Sequence, residues 1–262
     1  MKTMSKLMFC ILCATGVLTS ASAQVGKEML SNGIKYLDIP YVAHTLEAEG
    51  PEELIINCDE VDCTTFVEYV LAETLTPKME DGDVSETAFG EKLQNIRYRN
   101  GKIDGYASRL HYNTDWVDNG IRKGFLEDIT AKMSSDTEKL SIFYMSSRPQ
   151  QYMHLANSAE NVAKIKETER ALSGKIIHYL PKQKLPAEGL PWIKDGDIIA
   201  ITTNIPGLDV VHMGIAFYAD GKLTLLHASS TEKKVVVSKV TLSQLLKEND
   251  KWTGIRVIRA KK

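Results

Sequence analysis

Two alternating apolar runs, Val210 to Ala219 and Lys222 to Ser229, are separated by Asp220-Gly221 alone. A two-residue Asp-Gly connection between such runs is a strong signal for a β-hairpin, and it fixes the pairing along both strands. With Ala219 opposite Lys222, His212 faces Ser229 and Gly214 faces His227. Side chains alternate along a strand, so His212 and His227 share one face as diagonal neighbours within reach of each other's rings. A loop longer by one residue would put the two imidazoles on opposite faces. Gly214 leaves an empty place opposite His227.

Far upstream, Asp62-Cys63-Thr64-Thr65-Phe66-Val67-Glu68 opens a segment whose apolar residues Phe66, Val67, Val70 and Leu71 recur at helical spacing, stopped by Pro77. Cys63 therefore belongs to the first turn of a helix. A lone cysteine there is most often a small buried hydrophobe, and a lone strand histidine is more often structural than catalytic. A helix thiol, a strand histidine and a polar group on the neighbouring strand together fit an activated nucleophile. A free thiol titrates near pH 8.5 (roughly), and a helix start with an imidazolium nearby is expected to lower that value.

The remaining sequence sets the frame. Of 262 residues, 43% are hydrophobic and 25% charged, which suits a globular chain with a substantial core. Lys2 and Lys6, the apolar run Leu7 to Leu18 and Ala21-Ser22-Ala23 read as a secretory leader over residues 1–23. The apolar run is shorter than the roughly 20 residues that span a bilayer, so no stable membrane anchor is expected. The 32 basic and 34 acidic residues become more acidic once Lys2 and Lys6 leave with the leader, which gives no reason to expect nucleic-acid binding. Loss of Cys10 and Cys13 leaves Cys58 and Cys63, which could form a structural disulfide but only by destroying the nucleophile.

Residues 24–262 read as a single α+β domain, since no repeat or linker divides them. Residues 76–196 form a long insertion, mostly helical, with helices expected over Asn119 to Met133 and Asn157 to Leu172. From Asp197 onward come short β-rich runs, Asp197 to Thr203, the hairpin, Lys234 to Ser238 and Gly254 to Arg259, consistent with a small antiparallel sheet. No zinc-protease or paired-cysteine spacing and no phosphate loop is present, so no metal or other cofactor is expected.

Asp62-Cys63, His212-Met213-Gly214 and His227-Ala228-Ser229 resemble the NlpC-type cell-wall hydrolases, papain-like cysteine enzymes that cut amide bonds in peptidoglycan. The chain is more similar to a branch of secreted N-acetylmuramoyl-L-alanine amidases of Bacteroides-like bacteria. That likeness extends through Ser108-Arg109-Leu110-His111-Tyr112, Asp115-Trp116, Tyr144-Met145-Ser146, Asp195-Gly196-Asp197 and Gly207-Leu208-Asp209. One departure stands out: Thr64-Thr65 replaces the usual Ser-Gly after the cysteine, which adds bulk beside the thiol and agrees with the amidase branch.

The resemblance implies a papain-like core, with the helix bearing the nucleophile packed on an antiparallel sheet. It implies Cys63 as nucleophile, His212 as general base and His227 as the residue orienting it. It further implies Asp62, Arg109, His111, Tyr112, Asp115, Trp116 and Tyr152 as substrate contacts. The reaction implied is hydrolysis of the lactyl–L-alanine amide of muropeptides, in the periplasm, by a monomer. The same trio would also serve an endopeptidase cutting within the stem peptide, and a non-catalytic wall-binding protein could share the fold.

Overall fold

The computed structural model describes residues 23–80 and 82–262, so the expected leader, with Cys10 and Cys13, falls outside the described residues apart from Ala23. The fold is α+β. A seven-stranded antiparallel sheet has the order β1 (Leu126–Asp128), β9 (Trp252–Ala260), β5 (Ile198–Thr203), β6 (Val210–Ala219), β7 (Lys222–Ser229), β8 (Lys234–Val237), and β4 (Leu180–Pro181) also pairs with β9. A separate pair joins β2 (Thr137–Lys139) to β3 (Ile176–His178). No helix among the described residues is long and apolar enough to cross a membrane.

The hairpin register is the one its turn dictates, running from Ala219 opposite Lys222 to Ile215 opposite Leu226. Asp220 and Gly221 both have positive φ, 49° and 73°, as a type I′ turn requires. Between β5 and β6 the register slips by one after Ile201–His212, which leaves Val211 as an extra residue beside His212. Such bulges re-aim neighbouring side chains.

Helix α1 (residues 23–34) leads to α2 (Cys63–Leu75), which starts because Asp62 caps it. The Asp62 carboxylate accepts the N–H groups of Thr64 (2.9 Å) and Thr65 (2.8 Å), and the Thr65 hydroxyl accepts the Asp62 N–H at 2.8 Å. That reciprocal capping box satisfies donors the helix start would otherwise leave free. The helix ends at Leu75, short of Pro77. Ten of its 13 residues are buried, more than the sequence periodicity suggested.

The two sheet faces are covered differently. Ile198, Ile215, Leu226 and Ile258 pack with α2 residues Phe66, Val67, Val70 and Leu71 and with Met29 of α1. Alternate residues Ile199, Ile201, Leu223, Leu225, Ile255 and Val257 pack on the other side with Leu242 and Leu246 of α8 (Leu242–Lys247). Each such buried side chain contributes about 1.5–3 kcal/mol, so α2 is firmly seated where it meets the sheet.

The middle section corrects two expectations. A helix over Asn119 to Met133 does not form; after α3 (Glu86–Arg97), α4 runs Asn113–Arg122, strand β1 follows, and α5 covers only Thr130–Met133. Gly124, with φ of 83°, ends the helical path and turns the chain into β1. The sheet is also larger than its C-terminal strands alone, because β1 and β4 come from residues 76–196 and both pair with β9. The second expected helix appears as α7 (Ala159–Leu172), preceded by the single-turn α6 (Met153–Ala156). A third core, with Tyr106, Tyr112, Leu140, Met145, Leu155 and Ile165, holds this section together.

Candidate active site

His212 Nε2 lies 2.7 Å from His227 Nδ1, with the rings nearly perpendicular at 86°. The shared face expected from the Asp-Gly turn is therefore present. A Cβ on Gly214 would come within 2.9 Å of the His227 Cβ and 2.8 Å of Leu225, so this position admits His227 only because it carries no side chain. His227 Nε2 continues to the Ser238 hydroxyl at 3.1 Å, and the Trp252 ring lies parallel to His212 at 6.2 Å between centroids.

Cys63 and His212 line one small cavity of about 80 Å³, together with Thr64, Leu110, His111, Asn113, Trp116 and Val210 to Met213. The helix and the sheet thus bring the thiol and the first imidazole to a common space. Both Cys58 and Cys63 are free thiols, so the disulfide alternative does not form. Cys58 accepts a hydrogen bond from the Tyr36 hydroxyl at 3.7 Å.

The electrostatics differ from the expected thiolate. Burial pushes the Cys63 thiol up to about 12, and the adjoining Asp62 carboxylate adds to the rise; the backbone of Met213, the Thr64 hydroxyl and the backbone of Cys63 itself pull the other way. Removing water costs the anion more than these donors and the helix start return. Burial, followed by the charge of His227, pushes His212 down to about 3, and burial alone brings His227 to about 4. The resting site is a neutral thiol beside neutral imidazoles.

With Nε2 of His212 bonded to His227, its Nδ1 is the ring nitrogen outside that bond. For Nδ1 to accept a proton, Nε2 must carry one and donate it to His227 Nδ1; His227 Nε2–H then donates to Ser238. Each bond fixes the tautomer of the next ring.

The other expected contact residues have structural partners. Asp62 caps α2. Arg109 pairs with Glu47 (2.9 Å) and Glu52 (3.1 Å) and lies over the Tyr106 ring. Tyr112 donates to Glu169 at 2.7 Å and accepts the Met145 N–H at 2.9 Å. Asp115 pairs with Arg99. Tyr152 is half-buried against the third core, where burial raises its hydroxyl to about 12. His111 and Trp116 do reach the cavity with Cys63. His111 bonds the Tyr106 carbonyl through Nε2 at 2.9 Å, and burial pushes it down to about 3, so it is neutral.

Sequence reading missed Ser238, Trp252 and Asn113. Ser238 follows the end of β8, where Val236 faces His227. That register depends on the turn Ser230-Thr231-Glu232-Lys233, which has no two-residue signature to fix it. Trp252 opposes Thr203 across a second register shift, between β5 and β9.

A solved N-acetylmuramoyl-L-alanine amidase from Bacteroides uniformis ATCC 8492 is 77% identical, with a TM-score of 0.89 over 90% of this chain and 100% of its own. A Bacteroides fragilis protein described as a candidate xylanase is 61% identical, with a TM-score of 0.85 over 88% of this chain and 99% of its own. Protein LPG0564 of Legionella pneumophila, 21% identical with a TM-score of 0.69 over 91% of this chain and 89% of its own, shares the fold. No curated protein matches the chain. The profile of the AmiA-like family, described as N-acetylmuramoyl-L-alanine amidase-like, matches residues 31–255. The chain belongs to that N-acetylmuramoyl-L-alanine amidase-like family.

Proposed function

We propose that this protein is a cysteine-dependent N-acetylmuramoyl-L-alanine amidase of papain-like, NlpC type, acting on peptidoglycan fragments. The observation that carries the thiol chemistry is the 2.7 Å contact between His212 and His227, with His212 lining the same cavity as Cys63. The bond cut, between the muramic acid lactyl group and L-alanine, comes from the family.

In this reading Cys63 Sγ gives its proton to His212 Nδ1 as the sulfur attacks the lactyl carbonyl carbon. A dry site charges neither group alone, so proton transfer and attack go together. The cap does not take the Cys63 N–H, which faces its own sulfur: Asp62 accepts the N–H groups of Thr64 and Thr65, and the Phe66 N–H goes to the Asp62 carbonyl. The Cys63 N–H is therefore placed to hold the developing oxyanion. His212 returns the proton to the departing alanine nitrogen, which leaves a thioester; water, deprotonated by His212, then releases the acid and restores the thiol. His227 orients His212 throughout, and Ser238 orients His227.

His111 and Trp116 contact the substrate in this scheme, while Asp62, Arg109, Tyr112, Asp115 and Tyr152 do not line the cavity and hold the surrounding segments through the contacts described above. The xylanase description of one relative gains no support here. Glycoside hydrolysis uses two carboxyl groups flanking the sugar bond, and among the described residues no Asp or Glu lines this cavity. The Lys-led apolar segment at residues 1–23 supports export across the inner membrane to the periplasm, where such fragments arise.

Product identification on defined muropeptides tests the proposal. Release of intact stem peptide from the sugar is expected; cuts inside the peptide would transfer the chain to the endopeptidases. Undiminished turnover by Cys63→Ala would remove the thiol mechanism.

A further inference from the structure

Two buried polar atoms, on side chains that line the cavity beside Cys63, have no partner among the described residues. Trp116 is 3% exposed and Asn113 9%. Neither the Trp116 indole N–H nor the Asn113 carbonyl oxygen has a hydrogen-bond partner among the described residues. Both residues line the cavity that holds Cys63 and His212.

Their placement is built into the fold. They stand three positions apart at the start of α4, so one face of that helix presents both. The helix start is anchored by the Thr114 N–H, which donates to Asp209 at 2.7 Å. The Asn113 amide nitrogen donates to the Met213 sulfur at 3.3 Å, and this fixes which end of the amide is left unpaired.

Buried donors and acceptors are nearly always paired, so two orphans of opposite kind in one small cavity point to a ligand that completes them. An indole nitrogen only donates, and a carboxamide oxygen only accepts. A carboxylate would meet the indole but repel the amide oxygen. A cation would do the reverse, and an apolar group would satisfy neither. A secondary amide carries one acceptor and one donor on the same planar unit.

We propose that Trp116 Nε1–H donates to the carbonyl oxygen, and Asn113 Oδ1 accepts the N–H, of a substrate peptide group lying against Cys63. The pair thereby selects secondary amides over esters of the same shape. This rests on the amidase reading and adds to it the two residues that read the bond type. A buried acceptor left unpaired by an ester is what makes the discrimination large.

The test uses Cys63→Ala protein, which leaves the ligand intact, titrated with N-acetylmuramoyl-L-alanine and with the ester in which oxygen replaces the alanine N–H. The Trp116 indole resonance, assigned by its loss in Trp116→Phe, is expected to move downfield on saturation with either compound. The amide is expected to bind at least about tenfold more tightly than the ester. Asn113→Ala should erase that ratio by weakening the amide alone, whereas Trp116→Phe should weaken both compounds, since both keep the carbonyl. Asn113→Asp retains an acceptor oxygen and is expected to retain the amide preference, which separates loss of the acceptor from loosening of α4.

An indole resonance unmoved at saturation, or an amide-to-ester ratio unchanged by Asn113→Ala, overturns the inference. Failure of the thiol mechanism shows up in a separate assay, as turnover that survives Cys63→Ala. In that case the amide-to-ester ratio is read only from compound recovered intact after the titration, so the two failures stay distinguishable.

Discussion

In the β6–β7 hairpin each paired imidazole nitrogen leads to another polar group, from His212 to His227 to Ser238, and His212 also lines the cavity that holds Cys63. Between Arg99 and Tyr152 the polar groups close on one another instead, Arg109 on Glu47 and Glu52, Asp115 on Arg99, Tyr112 on Glu169. Both regions hold residue types suited to binding and catalysis. The difference teaches that residue type alone does not separate side chains held by partners from side chains that line a cavity; the identity of each partner atom does.

The sharpest break in this comparison is Cys63→Ala, or His212→Ala, for which muropeptide release should fall by about 10⁴-fold or more with circular dichroism unchanged. The side chains held by partners should respond in stability instead. Arg109→Leu leaves Glu47 and Glu52 buried beside each other without their cation, and urea denaturation should report a loss of about 3–5 kcal/mol. Normal stability with a raised KM would move Arg109 from that set to the substrate.

Acid should reach both regions. His111, His212 and His227 are neutral in the fold with lowered pKa values. Below about pH 6.5 the unfolded chain takes up protons that the folded chain refuses. Stability is therefore full above that pH and declines as pH falls, by up to about 1.4 kcal/mol per unit for each histidine. A melting temperature constant from pH 7.5 to 4.5 would contradict this burial. The acid limb of kcat/KM should likewise lie below the usual histidine range, because His212 remains a base there.

Ser238→Ala removes one neutral hydrogen bond from the relay, worth about 0.5–1.5 kcal/mol, and should lower kcat about two- to tenfold with KM unchanged. Ser238→Thr should restore most of it. If Ser238→Ala lowers stability and KM shifts in place of kcat, the serine serves the strand end and not the relay. The smallest effect is expected for Cys58→Ser, with activity within about twofold, since this thiol touches Tyr36 and does not line the Cys63 cavity.

Legibility followed the range of the interaction. The hairpin register could be read because the Asp-Gly turn sets it over two residues, and α2 because Phe66, Val67, Val70 and Leu71 recur at helical spacing before Pro77. The helix expected through Gly124 failed because pairing of Leu126–Asp128 with β9 outweighed local helical spacing. Ser238 stayed hidden because a four-residue turn leaves β8 without a fixed register.

The thiol's electrostatics show the same limit from another side. A helix start favours an anion, and that much is local. The seating of α2 against the sheet, with Asp62 adjacent, raises the Cys63 pKa through desolvation, which depends on everything packed around the sulfur.

By itself, the sequence determined that His212 and His227 share a face and that Cys63 opens a helix, since turn chemistry and helical spacing act between near neighbours. Only the tertiary structure decided that the thiol and the first imidazole meet in one cavity, that Arg109 is held by Glu47 and Glu52, and that the Asn113 carbonyl oxygen and the Trp116 indole N–H have no partner among the described residues. Burial and long-range pairing are properties of the packed chain as a whole, and no local spacing encodes them.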